Sequence, residues 1–255
     1  MSVQVVTDTS SDPPEVSRAS IKLARQAIRD FDLIAEGDRI AVGMSGGKDS
    51  AMLLALMLEL QRMGDMPEFS IHPVHLDQHQ PGFDREGFDR QMERLGLVCE
   101  VVSEDTHSIV QEKLKPGQIP CSICGRLRRG ILNNYCDSQG YTKLALGHHL
   151  DDAIETFLLN LFYGRRLDPL KALTPTTRAD VVTIRPMILI EERKIAAWAI
   201  QHEVPVIDCP VCDTVPESRR RDLKGVMRQF QSLNADLHAS VRTALYENVE
   251  ASAEP

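Results

Sequence analysis

The sequence predicts an α/β fold, a doubly wound five-stranded parallel sheet with N- and C-terminal helical extensions. Two strand–turn–helix switches carry that prediction. The first runs from the apolar stretch 39–44 through Ser45-Gly46-Gly47-Lys48-Asp49-Ser50 into an apolar helix over 51–58. The second runs from 143–146 through Gly147-His148-His149-Leu150-Asp151-Asp152 into a helix reaching Phe162. Around them, short apolar runs alternate with amphipathic stretches, the pattern of successive β-α-β units.

Taken in order, residues 1–16 read as a disordered leader rich in Ser, Thr, Asp and Pro. Ser17 or Ser20 caps a helix to about Ala35, with Ile21, Ala24, Ile28 and Phe31 at helical spacing. The first strand, loop and helix follow, and Gly64 ends that helix. Residues 69–76 form the second strand, in which Pro73 is awkward for a central position. It ends at Asp77, on the edge where such a sheet presents its ligands. Residues 83–96 form a charged helix and 97–103 a third strand holding Cys99, a core thiol. A loop extends to Pro120, and a helix starts at the first cysteine pair. Strands over 143–146 and 181–184 complete the five. Helices are expected over 191–202 and from Arg219 onward. The domain reading is a single unit over 17–233 with a helix and tail over 234–255.

Composition bounds the function. The chain has 255 residues, 42% hydrophobic and 26% charged, ordinary for a soluble globular protein. It contains no membrane-length apolar run and its start lacks signal-peptide features, so a cytoplasmic protein with no membrane partner is expected. A net charge of −8 excludes bulk electrostatic binding of nucleic acid and leaves room only for a local basic face.

The Ser45–Ser50 turn is built to hold an anion. Gly46 and Gly47 let the backbone approach a ligand. The following helix presents free amides and its positive dipole end, Lys48 adds a charge, and Ser45 and Ser50 add hydroxyl donors. The spacing is neither that of a Walker A loop nor that of a dinucleotide fingerprint. At the second switch, Asp151 and Asp152 open a helix. One can cap its amides and the other can bind Mg²⁺ beside phosphates.

Four of the six cysteines form two C-x-x-C pairs, Cys121/Cys124 and Cys209/Cys212. In a cytoplasmic chain that pattern points to metal or redox chemistry. Cys121 and Cys124 sit at a helix start before Arg126, Arg128 and Arg129, a setting that favours thiolate. A four-cysteine zinc site, a thiol relay and an iron–sulfur cluster all remain open on these residues alone.

Taken together, SGGKDS, PCSICGRLRRGIL, LALGHHLDDAIETFLLNLFYG, IRPM and PVIDCPVC resemble the tRNA 2-thiocytidine synthetase (TtcA) family of PP-loop ATP pyrophosphatases, over about residues 20–225. The chain departs from that pattern after the last cysteine, with Asp213-Thr214-Val215 where the family has Gly-Ser-Gln. The resemblance implies the adenine nucleotide alpha hydrolase-like fold and ATP-dependent replacement of O2 by sulfur at cytidine 32 of the tRNA anticodon loop. It also implies a [4Fe-4S] cluster on Cys121, Cys124 and Cys212. Cys209 is then a spare thiol, a fourth ligand or a transient sulfur carrier, and the spare thiol is the favoured reading.

ATP is then expected over Ser45, Gly46, Gly47, Lys48, Asp49 and Ser50, with Asp77 and Gly147 beside it. Lys48, Asp152 (through Mg²⁺) and Arg128 are the expected catalytic groups. A cysteine desulfurase or sulfide is the expected sulfur donor, and a homodimer is left open. The alternatives are a 2-thiouridine- or lysidine-type PP-loop enzyme, or an ATP-binding zinc protein without catalysis.

Overall fold

A computed structural model describes residues 3–5, 13–114, 120–176, 180–207 and 219–247. The parallel core comprises β2 (Asp38–Met44), β3 (Phe69–Asp77), β4 (Glu100–Ser103), β5 (Lys143–Ala145) and β7 (Val182–Ile184). Two antiparallel edge strands extend it, β1 (Val3–Val5) on β4 and β6 (Leu173–Pro175) on β7. The order across the seven strands is β1-β4-β3-β2-β5-β7-β6. The five predicted parallel strands are therefore present. The two edges are additions, and β1 lies inside the stretch read as a disordered leader. Its Val-Gln-Val suits a pleated edge, but three residues are too short for a visible period.

Nine α-helices lie among the described residues: α1 (Arg18–Asp30), α2 (Lys48–Met63), α3 (Arg85–Leu95), α4 (Thr106–Lys113), α5 (Pro120–Ser138), α6 (Leu150–Leu159), α7 (Glu192–Gln201), α8 (Arg219–Leu233) and α9 (Leu237–Arg242). Caps explain their bounds. The Ser17 hydroxyl accepts from the Ser20 amide to open α1, and Gly64 and Gly96 close α2 and α3 in the left-handed conformation. Helix α4 replaces part of the expected loop before Pro120. It is short, and Asp105 caps it by accepting from the Ser108 amide at 3.0 Å. Helix α6 runs on into a π-helical turn, Asn160–Gly164, closed by Arg165 at φ 52°.

Strand alternation divides the core. Ile40, Val42, Met44 and Ala145 face α1, α2 and α7, while Ala41, Val74, Leu76 and Leu144 face Leu132, Tyr135 and Cys136 of α5. Nearly every side chain of α2 from Ser50 to Met57 is buried. Burying each large apolar group contributes about 1.5–3 kcal/mol, which fixes this helix and the loop at its start. Pro73 does sit in a central strand. Strand β4 pairs only with Val74–Asp77, so Pro73 has a pairing neighbour on one side. Cys99 and Cys136 are fully buried, and burial pushes both thiols up to about 12, as core residues.

Candidate active site

The phosphate-loop geometry follows from the sequence locally. The Ser50 hydroxyl donates to Gly47 O at 2.9 Å and accepts from the Ser45 amide at 3.2 Å. The Ser45 hydroxyl accepts from the Gly47 amide at 3.3 Å. Gly46 adopts φ 85°, which favours glycine. Its carbonyl accepts from Gln91 Nε2 at 2.7 Å and from the Ile207 amide at 3.0 Å. Gln91 Nε2 also donates to Pro205 O at 2.5 Å. The loop is thus stitched to the segment that leads to the second cysteine pair.

Gly147 touches the same loop from the neighbouring strand. A Cβ there would lie 2.9 Å from the Asp49 carbonyl carbon and 3.0 Å from the Ser50 amide nitrogen. The two predicted switches therefore meet at the starts of α2 and α6. Ser45, Gly46, Gly47, Lys48, Asp49, Ser50, Gly147 and Asp152 are brought together here. Asp77 ends the adjacent β3, and its Oδ1 accepts from the His79 amide at 2.9 Å.

Charge concentrates around Lys48. Its Nζ lies 3.1 Å from both Asp49 Oδ1 and Glu192 Oε1. Burial alone lowers the Lys48 pKa, but the two carboxylates outweigh it and the net shift is upward. Burial alone raises Glu192, but Lys48 and then Lys224 outweigh it and the net shift is downward. His149 is buried among three carboxylates, 3.4 Å from Asp152, 3.7 Å from Asp49 and 3.8 Å from Asp151. Asp152 caps α6 by accepting from the His149 amide at 3.1 Å. Asp151 accepts from the Glu192 amide at 2.7 Å and bonds His238 Nε2 of α9 at 2.8 Å. Such a carboxylate-rich rim around one lysine can take a phosphate together with a divalent cation. Glu192, His149 and His238 were not singled out from sequence. Glu192 and His238 reach the site through packing of α7 and α9, and no local spacing marks them, whereas His149 lies within the Gly147–Asp152 switch as the N-cap of α6.

The cysteine-bearing helix reaches the same edge. Cys124 Sγ receives Gln78 Nε2 at 3.3 Å and Gln80 Nε2 at 3.9 Å, just beyond Asp77. Gln78 Nε2 also donates to Thr106 Oγ1 at 2.7 Å, so the sulfur is tied through Gln78 to the start of α4. Arg128 is exposed on α5, one turn beyond Cys124, with Arg126 and Arg129 exposed beside it. The Cys121 side chain, Cys209 and Cys212 lie outside the described residues. Among the described residues no three His, Cys, Asp or Glu side chains converge to hold a metal ion.

The family model of the PP-loop domain matches residues 17–210. A tRNA-cytidine(32) 2-sulfurtransferase of Bdellovibrio bacteriovorus is 40% identical over 223 residues, covering 86% of this chain and 84% of that protein. The enzyme of that name from Azotobacter vinelandii is 41% identical over 213 residues, covering 82% and 76%.

The chain belongs to this PP-loop family of tRNA-cytidine(32) 2-sulfurtransferases.

The U34-tRNA thiolase NcsA from Methanococcus maripaludis, solved with its [4Fe-4S] cluster, is similar in fold. It has a TM-score of 0.69 at 22% identity, covering 91% of this chain and 79% of that one. The Ser45–Ser50 loop and the parallel sheet described above lie within the matched residues. No described helix is long and apolar enough to cross a membrane.

Proposed function

We propose that this chain is an ATP-dependent tRNA thiolase that places sulfur at C2 of cytidine 32, forming AMP and pyrophosphate. The observation that carries this is the contact of Cys124 with Gln78, because it sets a cysteine-bearing helix start on the sheet edge that carries the phosphate loop. A PP-loop with no cysteine nearby would fit lysidine-type chemistry equally well.

ATP binds with its phosphates over Ser45–Ser50 and its adenine toward Asp77. Lys48 exchanges its carboxylate partners for phosphate oxygens and stabilises charge on the departing pyrophosphate. The cytosine O2 attacks the α-phosphorus, the bond to pyrophosphate breaks, and O2 becomes part of a leaving group. Sulfur then attacks C2, and AMP departs with the oxygen. Asp152 is our candidate ligand for a Mg²⁺ on the phosphates, and Arg128 our candidate contact to the substrate or the reacting phosphate. Cys121, Cys124 and Cys212 would hold a [4Fe-4S] cluster, which when bound supplies a site for sulfide on its open iron. A cysteine desulfurase or free sulfide is the proposed donor. The acceptor lies in a single-stranded loop, whose bases can be splayed into a pocket.

The test is anaerobic purification with iron and sulfide assays, followed by nucleoside analysis of tRNA after reaction. We expect bound iron and sulfide, tRNA-dependent AMP formation, and 2-thiocytidine. Cys124→Ala and Cys212→Ala should lose the iron, and Cys209→Ala should keep it. Zinc in place of iron, with ATP bound but never turned over, would overturn the reading in favour of a non-catalytic zinc protein.

A further inference from the structure

Arg185 has no role in the chemistry above, yet its setting is unusual. It directly follows β7 at the C-terminal edge of the sheet and keeps 5% of its exposure. Nη1 donates to Lys171 O at 2.7 Å and to Thr174 Oγ1 at 3.0 Å, and Nε donates to His148 Nδ1 at 3.3 Å. The acceptors are a backbone carbonyl, a hydroxyl and an imidazole nitrogen. Among the described residues the two N–H groups on Nη2 make no hydrogen bond, and no carboxylate lies within ion-pair distance. Burying a cation without a counter-ion is costly, so an arginine held this way is a site prepared for an anion.

Its electrical surroundings agree. Burial pulls its pKa down to about 10, and of the nearby charges Tyr246 and Asp152 act upward while Arg129 acts downward. The group stays a cation at neutral pH with a second guanidinium near it. The planar fork of an arginine matches a phosphate.

Topology decides which phosphate. Across the sheet the order is β3-β2-β5-β7. The phosphate loop follows β2 and the adenine side lies over β3. Arg185 stands two strands away on the opposite flank, about 10 Å at ordinary strand spacing. The start of α5 lies at the end of β3, but Arg129 further along it is near enough to act on Arg185, and on the proposed function this is the side from which an RNA would enter.

We propose that Arg185, with Arg129, forms a subsite for one phosphate of the RNA substrate on the flank of the phosphate loop opposite the adenine. Arg185 positions the RNA and takes no part in bond making. The proposal rests on the reading of this chain as an RNA thiolase.

The experiment uses the full chain and unmodified anticodon stem–loop RNAs, each carrying one methylphosphonate linkage near the target cytidine. Binding is measured for the wild type, Arg185→Gln and Arg129→Gln, and affinity for a non-hydrolysable ATP analogue is measured in parallel. One linkage should weaken wild-type binding about tenfold and leave Arg185→Gln unaffected, with the ATP analogue bound within about twofold of wild type. The salt slope of RNA binding should fall by about 0.7–0.9 in each variant. Arg129 is exposed, so its variant keeps the test open where Arg185→Gln does not fold. Equal losses in wild type and both variants at every linkage would overturn the subsite. So would an Arg185→Gln that loses the ATP analogue while keeping RNA, which would assign the arginine to the nucleotide or to anchoring His148. A wild type that binds no RNA at low salt would instead remove the thiolase reading itself.

Discussion

At the scale of single residues, the contact between Gly147 and the start of α2 is the least forgiving point of the site. The atoms a Cβ would meet are backbone, at 2.9–3.0 Å, and cannot swing aside. Gly147→Ala is therefore expected to cost roughly 1–3 kcal/mol of overpacking. Calorimetry should show ATP-analogue binding weakened about tenfold, with a lower Tm. Glu192→Gln should act oppositely on the ligand. It removes a competitor for Lys48, and ATP-analogue affinity should rise by about threefold at fixed Mg²⁺. A tenfold loss would instead mark Glu192 as a cation ligand. These residues also show what the sequence could reveal. Ser45–Ser50 and Gly147 were legible because a tight turn and a helix start impose their residue types within a few positions. Glu192 was not, because it meets Lys48 only after α7 packs on α2, and a glutamate at a helix start has a sufficient local explanation.

Among elements, the long helices and the five parallel strands were readable, and α4 and the two edge strands were not. Strands β5 and β7 are as short as β1 and β6, three residues each, but they continue the β-α alternation, whereas α4 spans two turns and the edge strands lie outside that alternation. The docking of α9 on α6 was likewise hidden, since it depends on one polar pair. His238 is raised above its ordinary value near 6.5, chiefly by its bond to Asp151. For Asp151, burial acts upward, but His238 and the Glu192 amide outweigh it and hold the carboxylate below its ordinary value near 3.8. The pair's contribution is fully present between those ordinary values. It is lost as pH rises through the raised His238 value, and again as pH falls through the lowered Asp151 value. For this largely buried pair the effect is roughly 1 kcal/mol. Thermal melts of wild type and His238→Gln should differ by about 2–4 °C near pH 6 and converge by about pH 9. A difference that is constant with pH would mean packing, not charge, docks the helix.

For the molecule as a whole, an acidic chain that binds RNA must do so through a confined surface. Arg126, Arg128, Arg129, Arg165 and Arg166 are exposed, and if each neutralises one phosphate the plot of log K against log salt should have a slope of about −3.5. A slope near zero would deny them that role. The same confinement brings the phosphate loop into contact with distant chain. Gly46 O is held by Gln91 and by the Ile207 amide, and Gln91 holds Pro205 in turn. Those bonds tie the loop to the residues just ahead of Cys209. The thermodynamic consequence is reciprocity. Whatever factor metal loading applies to nucleotide affinity, nucleotide must apply to metal affinity, because both are legs of one closed cycle. On the proposed function, the loop and the segment ahead of Cys209 belong to a single ligand-linked equilibrium, and Gln91→Leu is the substitution expected to uncouple it.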